Sequence, residues 1–346
     1  MKRALLVVVT VACGAAARDE RVQPASSASA PASAVVVPQR PAGVIDLHVD
    51  LPYAIHAEHR SLAALQASPE RLAAGNVRVI VTPMFVPRAY ARSPAEARAA
   101  YEATYADVPR LSGTERWLSF EGADGFADEP SSIDAWIARG ACLVGLVHDH
   151  SNALGGASQD PDRAARARGL TEAGKKLAAH VVAKGALLDA AHASDATFDD
   201  LLQIARNAGA PLVVSHTGLR TRREIMRNID DAQMREVASA GGVIGISMHS
   251  GHIAREAGER ATLGDVADAI AYAASVAGKD HVAIGSDFDG DITAPEDANG
   301  EAVWPRMHDE LRARGLSEDT IDAIFERNAA RVFAFARAHG CTPGSR

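Results

Sequence analysis

Short apolar runs alternate with longer amphipathic segments from Gly43 to the end of the chain. The apolar runs are rich in Val, Ile and Leu, and polar residues mark where each run stops. Such alternation is typical of βα units around a parallel sheet. We count about eight runs, the number that a closed (β/α)8 barrel requires. They read GVIDLHVD, VRVIVTPMF, RWLSFEG, CLVGLVH, GALLDAAH, PLVVSH, GVIGISMH and HVAIGSDFDG.

Several amphipathic segments open with helix start signals. Ser93 begins the capping-box pattern Ser-Pro-Ala-Glu, and Ser194 and Ser317 precede acidic residues. Residues 152–169 predict a long loop over the barrel mouth, and residues 304–340 predict two or three closing helices. The predicted fold class is therefore α/β, a (β/α)8 TIM-like barrel with extra C-terminal helices.

The apolar runs end, one after another, in His, Asp or Glu. In a (β/α)8 barrel the carboxyl ends of all strands meet at one rim, where active sites are built. Residues that are far apart in sequence would meet there. The end residues are His48, Asp50, Glu121, His148, His192, His216, His249 and Asp287.

Five of these residues form a candidate metal-ligand set. His48 and Asp50 are two positions apart, so an extended strand points both side chains the same way. Glu121 has two oxygens that can bridge cations. His192 and His216 end consecutive runs, and imidazoles from adjacent strands are common zinc ligands. Together they suffice for two zinc ions that share the Glu121 carboxylate and a bridging hydroxide. Each residue alone has a structural alternative, such as a salt bridge from Glu121 to an arginine of the mouth loop.

Asp287 and His148 suit proton transfer and substrate contact. Asp287 ends the last run, where a carboxylate can take a proton from water and return it to a leaving amine. Asp289 competes for this role, but it lies further from the strand end, so we assign it a structural role. His148 has no obvious metal partner, and we expect it to stabilise a developing oxyanion.

Composition and the first residues of the chain predict the kind of partner and the location of the protein. The formal charge of −8 gives no reason to expect nucleic acid as a partner, so a small-molecule substrate fits better. Residues 1–17 combine a basic start, an apolar stretch and small residues, which predicts an export signal. Cleavage before Cys13 would give a lipid anchor, which we favour, whereas cleavage after Ala17 would give a soluble exported protein. Residues 18–42 predict a linker, and residues 43–346 predict the barrel.

Cysteine usage does not indicate a disulfide scaffold. Apart from Cys13, the chain has only Cys142 and Cys341. We expect Cys142 to be a small buried hydrophobe and Cys341 to be free, with a bridge between them as the alternative.

Ten segments, in order, resemble the signature blocks of the membrane (renal) dipeptidase family. They are IDLHVDLP, EGADGF, GLVHDHSN, GLTEAGKKL, LLDAAHASDATF, PLVVSHTGLR, MRNIDD, GGVIGISM, IGSDFDG and NAARVF. The resemblance covers nearly all of residues 43–340. It implies zinc ligands at His48, Asp50, Glu121, His192 and His216, substrate binding by His148, and proton transfer by Asp287. It also implies that Arg227, in MRNIDD, binds the substrate carboxylate.

Three positions depart from the family pattern. Ala123 and Asp124 follow Gly122 where a second glycine is usual, His249 replaces an aromatic residue that is commonly Tyr, and Glu326-Arg327 replaces a glycine pair. No implied ligand is lost, so we expect the departures to affect specificity more than catalysis.

The expected function is zinc-dependent hydrolysis of dipeptides with a free C-terminal carboxylate. The alternatives are another amide or lactam hydrolase on the same binuclear site, or a non-catalytic exported barrel that binds ligands. The oligomeric state is open, with a homodimer as one option.

Overall fold

Eight parallel strands form a closed barrel in chain order. The computed structural model describes residues 43–87, 92–108 and 110–344. Each strand pairs with the next, and β8 returns to pair with β1, so the predicted (β/α)8 barrel is confirmed. The strands are β1 Val44–Asp46, β2 Val77–Met84, β3 Glu115–Glu121, β4 Ala141–Gly145, β5 Leu187–Asp189, β6 Leu212–Thr217, β7 Val243–Ile246 and β8 Val282–Ile284.

Helices cover the outside of the barrel and extend it at the C-terminal end. They are α1 Leu51–His56, α2 Pro69–Ala74, α3 Pro94–Asp107, α4 Asp134–Ala138, α5 Arg163–Arg166, α6 Glu172–Ala183, α7 Asp195–Asn207, α8 Asp231–Ser239, α9 Ser250–Ile253, α10 Leu263–Ala277, α11 Trp304–Ala313, α12 Glu318–Asp322 and α13 Asn328–Ala338. The last three are the predicted closing helices, and a π-helical turn at Ala323–Arg327 joins α12 to α13.

The strands are buried on both faces because helices cover one face and side chains fill the barrel on the other. This explains why the sequence shows continuous apolar runs rather than strict alternation. All the residues of β4, β6 and β7 are buried. Each predicted run contains an observed strand, but β1, β5 and β8 have only three residues each. The rest of those runs forms the rim.

The predicted helix starts are confirmed. The hydroxyls of Ser93, Ser194 and Ser317 each accept a hydrogen bond from the backbone N–H three residues later. Such caps satisfy donors that a helix leaves free at its first turn. They fix where α3, α7 and α12 begin.

Cys142 and Cys341 form a disulfide, so the expectation of two unpaired cysteines is wrong. The bond joins β4 to the segment that follows α13, across a sequence separation of 199 residues. Both cysteines are fully buried. The apolar surroundings of Cys142 suit a buried disulfide as well as a small buried hydrophobe.

The export signal at residues 1–17, the linker at 18–42 and the lipid anchor at Cys13 lie outside the described residues and stay predictions. Among the described helices, none has the length and apolar character needed to cross a membrane.

Candidate metal centre

The eight end residues lie around the carboxyl rim of the barrel. Glu121 is the last residue of β3, and His216 lies within β6. His148, His192 and Asp287 each lie three residues beyond the end of β4, β5 and β8, respectively. The rim therefore consists of strand ends and of the short segments that continue them.

Three imidazoles converge on one oxygen of Glu121. The Nε2 atoms of His192, His216 and His48 lie 3.0, 3.4 and 3.5 Å from Glu121 Oε1. His48 Nε2 also lies 3.3 Å from an oxygen of Asp50. The five residues predicted as metal ligands thus come together in one buried cluster.

The donor set fits divalent metal ions. Three imidazoles and two carboxylates in a buried space are the ligands that zinc takes in proteins. His48 Nε2 is buried and has no hydrogen-bond partner, although it faces the carboxylates of Asp50 and Glu121. Overlapping groups of ligand atoms, each within 4.8 Å, are His48 with Glu121 and His216, Glu121 with His148 and His192, and His48 with Asp50 and Asp287. Glu121 and His48 each belong to two of these groups, so the groups share ligand atoms.

Asp287 borders the cluster, and its carboxylate lies 3.9 Å from His48 Nε2. Burial raises the pKa of Asp287 well above its ordinary value. The neighbouring His48 opposes this shift, whereas the negative charges of Asp50 and Glu121 add to it. A carboxyl with a raised pKa is a better proton acceptor than an ordinary aspartate, which suits the predicted role.

His148 lies on the other side of Glu121, with its Nε2 3.9 Å from Glu121 Oε1. Its ring packs against Phe85 and His192, with both centroid distances at 4.3 Å. Burial lowers the pKa of His148 to about 4. The ring is therefore neutral at neutral pH and keeps one N–H that it can donate to a substrate oxygen.

Arg227 is buried, with 5% of its surface exposed. Its Nη1 donates to the carbonyl of His216 at 3.0 Å, whereas Nε and Nη2 have no hydrogen-bond partner. These two atoms form one edge of the guanidinium, which matches the two oxygens of a carboxylate. Burial excludes a solvated basic surface as the role of Arg227, the alternative that its arginine-rich neighbourhood allowed.

A cleft of about 360 Å³ opens beside the candidate metal centre. Asp50, Glu121, His148, His192 and Asp287 line one part of it. Other lining residues, which the sequence pattern did not single out, are Tyr53, Phe85, Asp149, Gln159 and His252. Two of them carried a usable signal, because Asp149 directly follows an end residue and Phe85 is the last residue of the second apolar run.

Asp289 is structural, as predicted. Its carboxylate accepts hydrogen bonds from the backbone N–H groups of Gln66 and Ala67, both at 2.9 Å, and pairs with Arg60. It therefore holds the loop that precedes α2.

The departures from the family pattern separate into two kinds. His249 lines the cleft, so it can affect specificity. Glu326 lies elsewhere, because it accepts hydrogen bonds from the Gly43 N–H at 2.8 Å and from Arg78 at 2.9 Å. It joins the starts of β1 and β2 and is not among the residues that line the cleft. Asp124 accepts a hydrogen bond from Asn152 of the mouth loop.

Sequence comparison relates the chain to dipeptidases. The sequence model of the membrane dipeptidase family (peptidase family M19) matches residues 111–340. An "uncharacterized protein in pqqA 5′ region" of Klebsiella pneumoniae is 33% identical over 61% of this chain and 78% of that protein. A dipeptidase (aclJ) of Aspergillus oryzae is 28% identical over 62% of this chain, and the match spans 50% of that protein.

Solved structures share the fold. A metallo peptidase from Rhodobacter sphaeroides, liganded with a phosphinate mimic of the dipeptide L-Ala-D-Ala, superposes with a TM-score of 0.73 at 19% identity. The superposition covers 85% of this chain and 99% of that chain. The probable dipeptidase PvdM from Pseudomonas aeruginosa gives a TM-score of 0.70 at 20% identity, over 87% and 95% of the two chains.

The barrel and its ring of His, Glu and Asp side chains define a metallopeptidase type of fold and site. The family match extends over more than half of the sequence, from β3 past the end of α13. The chain belongs to the membrane dipeptidase family, peptidase family M19.

Proposed function

We propose that this chain is a metal-dependent dipeptidase that acts on dipeptides with a free C-terminal carboxylate. The observation that supports this most is a buried cluster of metal ligands beside a buried arginine with two unused donors. The cluster can hold the metal, and Arg227 can recognise the carboxylate. The proposed ligands of two zinc ions are His48, Asp50, Glu121 as the bridge, His192 and His216.

Bound metal ions would supply Lewis acidity, which activates water and polarises the scissile carbonyl. Residues of the chain would transfer the proton, stabilise the developing negative charge and bind the substrate carboxylate. Asp287 takes the proton of the attacking water and returns it to the leaving amine. His148, neutral at neutral pH, donates its N–H to the carbonyl oxygen as negative charge develops there. Arg227 fixes the C-terminal end of the substrate.

The test combines metal content with turnover. Purified protein is assayed for zinc by plasma emission and for hydrolysis of a panel of L,L and L,D dipeptides. Asp287→Asn is the informative variant, because Asn also tolerates the left-handed backbone at this position, where φ is 67°. We expect kcat to fall by roughly two to four powers of ten while the zinc content stays at the wild-type value.

Each other outcome points to a different conclusion. A wild-type protein with neither zinc nor hydrolysis would favour a barrel that only binds ligands. Preferred hydrolysis of other amides or lactams would favour a broader amide hydrolase. Loss of zinc from Asp287→Asn would make Asp287 a ligand instead of the proton-transferring group.

A further inference from the structure

His192 projects from a turn and not from a strand. It lies three residues beyond β5, and its φ of 63° is in the left-handed region, which a side chain other than glycine seldom occupies. Strand geometry therefore does not fix the direction of its ring. A metal ligand needs other contacts to hold it in place.

The two ring nitrogens of His192 face different groups. Nε2 lies 3.0 Å from Glu121 Oε1 and 3.0 Å from His216 Nε2, so it points into the candidate metal centre. Nδ1 points the opposite way, is buried and has no hydrogen-bond partner of good geometry, and a carboxylate oxygen, Asp149 Oδ1, lies 3.3 Å from it. A carboxylate on this side favours the tautomer with its proton on Nδ1, which leaves the Nε2 lone pair for a metal.

The loop that contains Asp149 also holds the backbone of His192. The N–H of Ser158 donates to the carbonyl of His192 at 2.8 Å, and the N–H of Ser194 donates to Gly156 at 3.0 Å. The loop is itself closed by a hydrogen bond of 3.0 Å from the N–H of Ala157 to the Ser151 hydroxyl. One segment therefore fixes both the backbone of His192 and the outer side of its ring.

The neighbouring histidine has a different kind of partner. His216 Nδ1 lies 2.9 Å from the hydroxyl of Ser215, which is neutral. Asp149 is an anion, and a carboxylate raises the basicity of the imidazole that donates to it more than a hydroxyl does. The removal of Asp149 should therefore change metal binding at this side of the centre.

We propose that Asp149 is a positioning residue that accepts the Nδ1–H of His192 and so directs Nε2 at the metal held by His192 and His216. This inference rests on the proposed function, because it assumes a metal ion at that place. Asp149 lies on the rim of the cleft, and 45% of its side chain is exposed. Its substitution should therefore leave the fold intact.

The test is a titration of metal-free protein with Zn²⁺ against a competing chelator. Asp149→Asn and Asp149→Ala should weaken one of two zinc sites by about 10- to 100-fold and leave the other within about threefold. Asp149→Glu, which restores the carboxylate, should recover part of the loss. The matched control is Asp291→Asn, which removes a carboxylate from the same cleft without a contact to a histidine of the centre. Its zinc affinities should equal those of the wild type.

A second measurement does not depend on turnover. The visible spectrum of the Co²⁺-substituted protein should change in Asp149→Asn and remain unchanged in Asp291→Asn, with equal Tm values for the metal-free proteins. Wild-type affinities in Asp149→Asn, with or without a raised KM, would overturn the inference while the proposed function stands. Failure of the wild type to bind zinc would overturn both.

Discussion

Arg227 should make cleavage depend on the charge of the substrate's C-terminus. Its Nε and Nη2 are buried without a hydrogen-bond partner, so a substrate carboxylate that reaches them would supply the acceptors that the protein does not. Removal of one member of a buried ion pair costs about 2–5 kcal/mol. At 1.36 kcal/mol per tenfold change, a dipeptide amide should be cleaved with a kcat/KM about 30- to 5,000-fold below that of the free acid.

The Arg227→Lys variant tests the same contact by a change in the protein instead of in the substrate. Lysine keeps the charge but cannot present two parallel N–H groups, so one charge-assisted hydrogen bond worth about 1.5–3 kcal/mol is lost. The kcat/KM for the dipeptide should fall about 10- to 150-fold, and that for the amide should change much less. The matched control is Arg222→Lys, because Arg222 already pairs with Asp265 and Asp268. It should leave the ratio of acid to amide unchanged.

Two results would refute this reasoning. The wild type could cleave the acid and the amide equally, in which case Arg227 does not bind the carboxylate. Alternatively, Arg227→Lys could slow both substrates by the same factor. Arg227 would then act through its hydrogen bond to the His216 carbonyl and not through the substrate.

Three further predictions address the metal bridge, the disulfide and a buried acid. Glu121→Gln should weaken both zinc sites, because a neutral amide is a poor bridge between two dications, and two tight sites in a zinc titration would contradict this. Replacement of Cys142 and Cys341 by Ala should lower the free energy of unfolding by about 2–4 kcal/mol in urea denaturation, and an unchanged value would show that the bond adds no stability. Burial and the nearby Asp46 raise the pKa of Glu301 well above its ordinary value, so the folded chain keeps this proton to a higher pH than the unfolded chain does. Stability from this group is complete at low pH and is lost as the pH rises towards the folded pKa. Glu301→Gln is neutral at every pH, so its Tm should fall less than that of the wild type as the pH rises above the ordinary glutamate range, and parallel Tm profiles would contradict the assignment.

Most of the fold followed from the sequence because strand, helix and cap signals agreed. Buried parallel strands need continuous apolar runs, and Ser194 and Ser317 marked the starts of α7 and α12. The disulfide could not be predicted in this way. Cys142 and Cys341 are 199 residues apart, and local patterns carry no information on such a distance. Their pairing agrees with the oxidising compartment that an export signal would imply, although export itself stays a prediction.

The candidate site was predictable only to the extent that strand ends converge. That rule predicted that Glu121 and His216, which end separate runs, lie close together, as they do. It gave no information on side chains that enter the cleft from the mouth loop or from a short helix, such as Gln159 and His252 in α9. It also could not distinguish which departures from the family pattern face the cleft, since His249 does and Glu326 does not.

The turns that present the site depend on two aspartates that no motif singled out. Asp46 and Asp189 are the last residues of β1 and β5. Asp46 accepts hydrogen bonds from the N–H of His48 and, at 2.8 Å, from the N–H of Ser286 in the segment after β8. Asp189 accepts hydrogen bonds from the N–H of Ala191 and, at 2.9 Å, from the N–H of Ser215 in β6.

Each of these aspartates thus joins the turn after its own strand to the neighbouring strand or to the segment that follows that strand. The segments that they hold lead into His192 and Asp287, whose positive φ values carry a backbone cost of order 1–3 kcal/mol. Buried charge-assisted hydrogen bonds, at about 1.5–3 kcal/mol each, are large enough to offset that cost. The barrel can therefore turn its chain sharply at the rim and point a histidine and a carboxylate inward, where regular strands would have continued past the centre.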